Sequence, residues 1–309
     1  LTRSSAASDV YKRQAKMMFM NIFIKPTVIF ILLSLFSSLS VAVDIPPGQA
    51  IAPPPGKSSI RFELNSVKLG EGFRNGESLN LGSELNVNTL GVQYSRSFMI
   101  RDRLAGFYIN GAVGKALPGG SISSQENVSG ITDSAAALVT WLHADKEKGR
   151  YVVLGGFVIF PTGDYDSDRT INFSQNRFSG GFQFGYHTRL APRWDLMVTT
   201  DVMFSEKNED YRLTHQVFEQ DPLYSAQFSL MHNLDSSITV SGTYYRYLGG
   251  EGRLGGQWLE NEITRNRYEL VFAKRVQSGK YFVYLGKDAD TQNGFIEDQR
   301  LSLRYQHYF

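Results

Sequence analysis

The stretch FSGGFQFGYHTRL, Phe178 to Leu190, sorts its side chains into two sets. Its even positions are Phe178, Gly180, Phe182, Phe184, Tyr186, Thr188 and Leu190; its odd positions are Ser179, Gly181, Gln183, Gly185, His187 and Arg189. Successive residues of a β-strand point to opposite faces, so this segment has one oily face and one wet face. The next segment repeats the pattern, with Trp194, Leu196, Val198, Thr200, Val202 and Phe204 alternating with Asp195, Met197, Thr199, Asp201 and Met203. Period 2 sustained over a dozen residues excludes an amphipathic helix and predicts strands long enough to cross a bilayer at a tilt.

Working outward, twelve such segments are predicted: 58–69, 84–98, 104–114, 134–142, 150–161, 177–190, 194–206, 222–233, 236–248, 266–276, 279–287 and 298–309. In the second, the oily face changes parity near Asn88, as a β-bulge would cause. The connections alternate, with 10 to 19 residues after odd-numbered segments and 2 to 7 after even-numbered ones. An even strand count with loops sorted by length predicts a transmembrane antiparallel up-and-down β-barrel, with short periplasmic turns, long outer loops and both termini in the periplasm. A soluble β-sandwich has no reason to sort its loops in this way. Closure follows because an unpaired strand edge in lipid leaves backbone groups without partners. Leu303, Tyr305 and Phe309 supply the terminal aromatic pattern expected of a barrel-assembly signal, with His307 a departure from it.

Three segments precede the barrel. Residues 1–16 read as a non-native leader, beginning without Met and lacking any pattern. Residues 17–42 have the layout of a signal peptide: Lys25 closes a basic region, an uncharged apolar run follows, and Ser40, Val41 and Ala42 form a small-x-small cleavage site. Residues 43–57 hold five of the ten prolines and are expected to be an extended periplasmic tail or a plug. The barrel is expected over residues 58–309.

Composition limits the chemistry. The chain has 29 Gly and 37 Phe plus Tyr but no Cys, which removes disulfides, thiolate metal sites and a Cys nucleophile. Beyond residue 42 it carries 27 basic and 29 acidic residues, with no basic cluster suited to nucleic acid. Gly250-Glu251-Gly252-Arg253-Leu254-Gly255 matches a dinucleotide fingerprint, yet it lies in a loop between two alternating strands and opens no helix. Asp164, Asp166 and Asp168 have the spacing of a calcium loop, but Arg169 stands where that loop requires Gly and Gln175 where it requires Glu; Asp288 and Asp290 fail the same template. None of the five His residues begins a His-x-Ser pair. No catalytic residue, metal site or cofactor is assigned.

What remains is the wet face. Gln183, His187, Arg189, Asp195, Asp201, Arg267, Glu269, Arg275, Arg300 and Arg304 are candidates to line the lumen, and Pro161, Thr162, Gly163, Asp164, Tyr165 and Asp166 to form its outer mouth. The same charges could instead neutralise one another in a closed barrel.

The run Phe160 to Asp166 (FPTGDYD), with Lys146 to Tyr151, Glu219 to Pro222 and Pro46 to Gly48, resembles the outer-membrane transporter family named for the meta pathway of phenol degradation. The resemblance implies a bacterial outer-membrane channel for small aromatic or other hydrophobic compounds, without a catalytic residue. Its expected partners are outer-membrane lipid and lipopolysaccharide, the barrel-assembly machinery and the solutes themselves. Two alternatives stay open: an outer-membrane hydrolase or acyl-modifying enzyme, and a closed barrel serving as an anchor.

Overall fold

A computed structural model describes residues 44–309. The leader and signal-peptide expectations lie outside the described residues. Twelve long strands form the wall: β1 (Ser58–Arg74), β2 (Ser83–Ile100), β3 (Arg103–Gly120), β4 (Ser134–Asp145), β5 (Arg150–Phe160), β6 (Ser179–Ala191), β7 (Trp194–Ser205), β8 (Leu223–Asn233), β9 (Ile238–Gly249), β10 (Ile263–Val276), β11 (Gly279–Thr291) and β12 (Gly294–Tyr308). Each pairs antiparallel with its neighbours in sequence, and β12 pairs with β1 over Ser59↔Tyr308 to Phe73↔Gly294, which closes the barrel. Ser58 and Phe309 exchange backbone hydrogen bonds at 2.9 and 3.0 Å, so the barrel begins and ends at one rim, the same rim as the short turns.

The oily set of residues faces out and the wet set faces in. Phe182 is 65% exposed, and Leu64, Leu90, Leu138, Phe184 and Leu270 are exposed on the same outer surface, while Thr199, Gln227 and Arg267 are buried. A monomer soluble in water rarely exposes so continuous an apolar band, whereas a barrel in lipid needs one.

The predicted bulge near Asn88 is absent: β2 runs in unbroken register against both β1 and β3. Odd positions face inward along its whole length. What changes is the surroundings. Toward the loop end, inward Leu69, Leu85 and Ala116 meet Ile122 and Ile171 of the loops in a dry cluster, while outward Glu84 pairs with Lys68 at 3.0 Å. The alternation in loop length also has an exception. The ten-residue gap expected between segments eleven and twelve shrinks to Gln292 and Asn293, because both strands extend beyond their apolar portions.

Over the loop end, Asn208–Tyr211, Gln216–Gln220, Gly252–Leu254 and Gln257–Trp258 form a separate four-stranded sheet. Tyr211, Phe218, Leu254 and Leu259 are its core. The Gly250 to Gly255 run lies within it as a short strand and a turn, with no helix beside it.

Candidate functional site

The inner wall of the barrel is occupied by three linked groups of charged and aromatic side chains. Midway, Arg267 is fully buried, its guanidinium carbon 4.0 Å from the Tyr245 ring centre and 5.6 Å from that of Tyr247. These rings stand beside it because β9 and β10 pair Tyr245 with Arg267 directly. Cation–π attraction is stronger in such a desolvated place than at a surface. The Tyr245 hydroxyl donates to Glu269 at 2.8 Å. Toward the loops, Arg265 donates to Asp288 at 2.8 Å and to Glu297 at 3.2 Å, and Arg300 donates twice to Glu297, at 2.8 and 2.7 Å. Toward the short turns, Arg304 pairs with Glu63 and lies 4.1 Å from the Tyr284 ring centre, while Arg61 stands 3.7 Å from the same carboxylate.

The counter-charge for Arg267 comes from outside the wall. Asp44 pairs with Arg267 and accepts a hydrogen bond from the Tyr247 hydroxyl at 2.6 Å. From there the chain runs inside the barrel back to the rim of the short turns. The Gln227 amide brackets Ile45, donating to its carbonyl at 2.6 Å. Two successive turns, Gln49 N to Pro46 O and Ile51 N to Gly48 O, fold the Pro-rich stretch. Ala50 and Ala52 pack with Trp141, Tyr151, Val153, Met197 and Met231, and the Trp141 indole donates to the Ala50 carbonyl at 2.9 Å. At the rim, Ser97 donates to the Pro54 carbonyl at 2.6 Å.

The residues singled out from the sequence fall in several places. Arg267, Glu269, Arg300 and Arg304 are in these networks. Gln183 and Asp201 are directly opposite on β6 and β7, and Asp201 accepts from Ser225 of β8. His187 and Arg189 stand 3.6 and 3.9 Å from Asp195 near the short turns. Arg189 and Arg275 are exposed at that rim, away from the central group. Leu303 and Phe309 are exposed, and Tyr305 stacks on Tyr281. The sequence reading missed Asp44, Glu63, Arg265 and Glu297. Asp44 did carry a signal, as the one charged residue between Lys25 and Lys57. Its partner lies 223 positions away, and no local pattern reaches that far.

The run Pro161 to Asp166 lies at the loop end of the barrel and is firmly tied. Thr162 bonds Ser134 at 2.8 Å, Gly163 N donates to Asp133 at 3.0 Å, and Asp164 accepts from Ile131 N at 2.7 Å. Tyr165 donates to the Asp210 carbonyl at 2.8 Å and accepts from Arg212 N at 2.7 Å, joining this loop to the next. Asp168 stands 3.3 Å from His215, which also bonds Asp210 at 2.8 Å. These loop carboxylates are thus used within the protein. Among the described residues no cluster of His and carboxylates has the geometry to hold a metal ion.

The wall has one interruption. The β11–β12 ladder runs from Gly279↔His307 to Gly286↔Arg300 and stops there, although both strands continue. Above that point β11 remains paired with β10, and β12 with β1. The Asp288 carboxylate takes the place of a backbone acceptor, receiving Glu297 N at 2.6 Å. A groove of about 680 Å³ reaches this point from the outer face, bordered by Phe228, Tyr268 and Leu285 and by the inward residues Glu269 and Arg300.

A known outer-membrane channel shares this architecture. The structure aligns with an outer-membrane channel from Pseudomonas putida F1 at a TM-score of 0.83 and 21% identity, covering 86% of this chain and all (100%) of that one. It aligns more loosely with the KdgM porin (TM-score 0.43, 8% identity, 81% of this chain and 99% of that one). The β domain of the Bordetella autotransporter BrkA gives a TM-score of 0.47 at 11% identity, over 82% of this chain and 100% of that one. Among curated proteins, none matches the sequence. Residues 68–305 match the sequence pattern of the family described as the putative MetA-pathway of phenol degradation. With that match spanning most of a closed twelve-stranded barrel of the outer-membrane type, the chain belongs to this family.

Proposed function

We propose that the protein resides in the bacterial outer membrane, with its termini in the periplasm, and passes small aromatic or other hydrophobic compounds through a gated barrel. The observation that carries this reading is that residues 44–55 lie inside the barrel, bonded to its inner wall. This segment is held at its far end by the Asp44 carboxylate on Arg267 and Tyr247. The surfaces it covers, Trp141, Tyr151, Val153 and Met231, suit an apolar solute better than a hydrated one. The unpaired stretch of β11 and β12 beside the outer groove supports a lateral exit toward the lipid.

The test is uptake into liposomes of benzyl alcohol and of a neutral sugar of similar size, comparing the intact mature protein with a variant lacking residues 44–55. Preferential uptake of the alcohol, increased by the deletion, is expected. Equal uptake of both solutes by the intact protein would make it a general porin.

A second reading, a closed anchoring barrel, is favoured by the ion pairs that fill the lumen. It requires no uptake in either form. The hydrolase alternative finds no support in the geometry: no His hydrogen-bonds a Ser among the described residues, and His187, His215 and His307 are partnered by Asp195, Asp210 and Tyr305.

A further inference from the structure

Between the Pro-rich segment and the wall, on the side of the short turns, lies a cavity of about 270 Å³. Its two sides differ in chemistry. On the segment's side are Ile45, Pro46, Pro47, Ala50 and Ile51, all without charge. On the wall side, the strand registers place Lys280 opposite Gln306, Gln306 opposite Arg61, Arg61 opposite Gln93 and Gln93 opposite Asn110. Directly opposed residues stand about 5 Å apart between Cβ atoms, so this is one continuous polar row across five strands. All five side chains border the cavity.

This row has positive charge and no acid. Lys280 makes no ion pair among the described residues; its ammonium lies 4.9 Å from the centre of the Phe282 ring, which also lines the cavity. Arg61 donates to the Gln93 side-chain carbonyl at 2.8 Å and stands 3.7 Å from the Glu63 carboxylate, which Arg304 also pairs with. The one acid bordering the cavity, Asp44, is engaged by Arg267 and Tyr247. The two cations of this row, with Lys57 and Arg96 also bordering the cavity, and a row of amides, facing an apolar wall with a phenyl ring beside them, complement an anion at one end of a molecule and a hydrocarbon body at the other.

We propose that this cavity binds small amphipathic carboxylates, with the carboxylate between Lys280 and Arg61 and an aromatic or short aliphatic body against Phe282 and the Pro46–Pro47 side. The site rests on the conduit reading and narrows it, by giving the passing solute a charged end that is held on the side of the short turns. A charge-assisted hydrogen bond contributes about 1.5–3 kcal/mol, which corresponds to roughly tenfold or more in affinity. Van der Waals contact with the ring and prolines adds preference for a body over a bare carboxylate.

The experiment is calorimetric titration of the detergent-purified protein with benzoate, benzyl alcohol and acetate. Benzoate should bind at least ~10-fold more tightly than either of the others. Lys280→Met should remove that advantage over benzyl alcohol, and Lys280→Arg should restore most of it. A heat-dependent shift in gel mobility equal to that of the wild type establishes that each variant is a folded barrel. Equal binding of benzoate and benzyl alcohol, or benzoate affinity unchanged in folded Lys280→Met, overturns the proposal. Acetate binding as tightly as benzoate overturns the amphipathic assignment. The conduit reading is judged separately, by benzyl alcohol uptake into liposomes carrying the wild-type protein.

Discussion

At the scale of single residues, Arg267 governs the interior. A guanidinium with no exposure is tolerable only with a counter-charge and other polarisable partners around it, and it has Asp44, Tyr245 and Tyr247. Breaking a buried pair from one side typically costs about 3–5 kcal/mol. Here the unpaired charge has another recourse, because water can enter once the segment leaves. Asp44→Ala should therefore release the segment instead of unfolding the barrel. In planar bilayers its conductance should exceed that of the wild type severalfold, and an unchanged conductance would show that this contact does not hold the stopper. Gly163 is a residue of another kind. A Cβ there would lie 2.7 Å from the Ile131 carbonyl oxygen and from Asp133 N, both backbone atoms with little freedom to move. Gly163→Ala should destabilise the loop by about 1–3 kcal/mol, seen as faster amide exchange at Asp164 and Ile131 with little change in the barrel strands.

Among elements, the strands were legible because the bilayer imposes a period of 2 on each of them. Phe184 is oily and outward at mid-strand on β6, flanked by inward Gln183 and Gly185. Phe184→Arg should cost about 2–4 kcal/mol of stability in refolding from urea into vesicles, and no effect would mean that this face does not meet lipid. Where an element leaves the membrane, the pattern loses that cause. The oily inward end of β2 imitated a bulge because a dry cluster under the loops replaced the wet lumen. The small sheet over the loop end gave no signal, since its strands of two to five residues are too short to establish a period. Its neighbouring tie is sensitive to pH. The hydrogen bond to Asp210, aided by the charges of Asp210 and Asp168, raises the His215 pKa, while hydrogen bonds from Ser167 and His215 lower that of Asp210. The His215 contribution is full below its ordinary pKa of about 6.5 and is lost as pH rises through the raised value. The Asp210 contribution is present above its ordinary value of about 3.9 and is lost as pH falls through the lowered one. Protection of Arg212 N, corrected for intrinsic exchange, should thus decline from pH 6 to 8, and His215→Gln should flatten that decline.

For the whole molecule, the wall and the segment inside it are expected to be separable in energy. Every wall strand is paired on both sides except where the β11–β12 ladder stops, and residues 44–55 contribute no rung to any ladder. Deleting residues 44–55 should leave a barrel that still shows heat-dependent gel mobility, whereas loss of that behaviour would make the segment part of the folding core. The sequence by itself determined the barrel: strand number, register of faces and sorting of most loops follow from alternation that lipid outside and polar side chains inside enforce residue by residue. It also pointed to some of the charges in the interior, Arg267, Glu269, Arg300 and Arg304, but not to Glu63, Arg265 or Glu297. Only the tertiary structure decided which of them meet. Asp44 reaches Arg267, and Lys280, Gln306 and Arg61 align, because barrel closure brings β1 beside β12 and lets the segment before β1 fold back inside. Such contacts depend on shear and closure, which join positions hundreds of residues apart and leave no period in the chain.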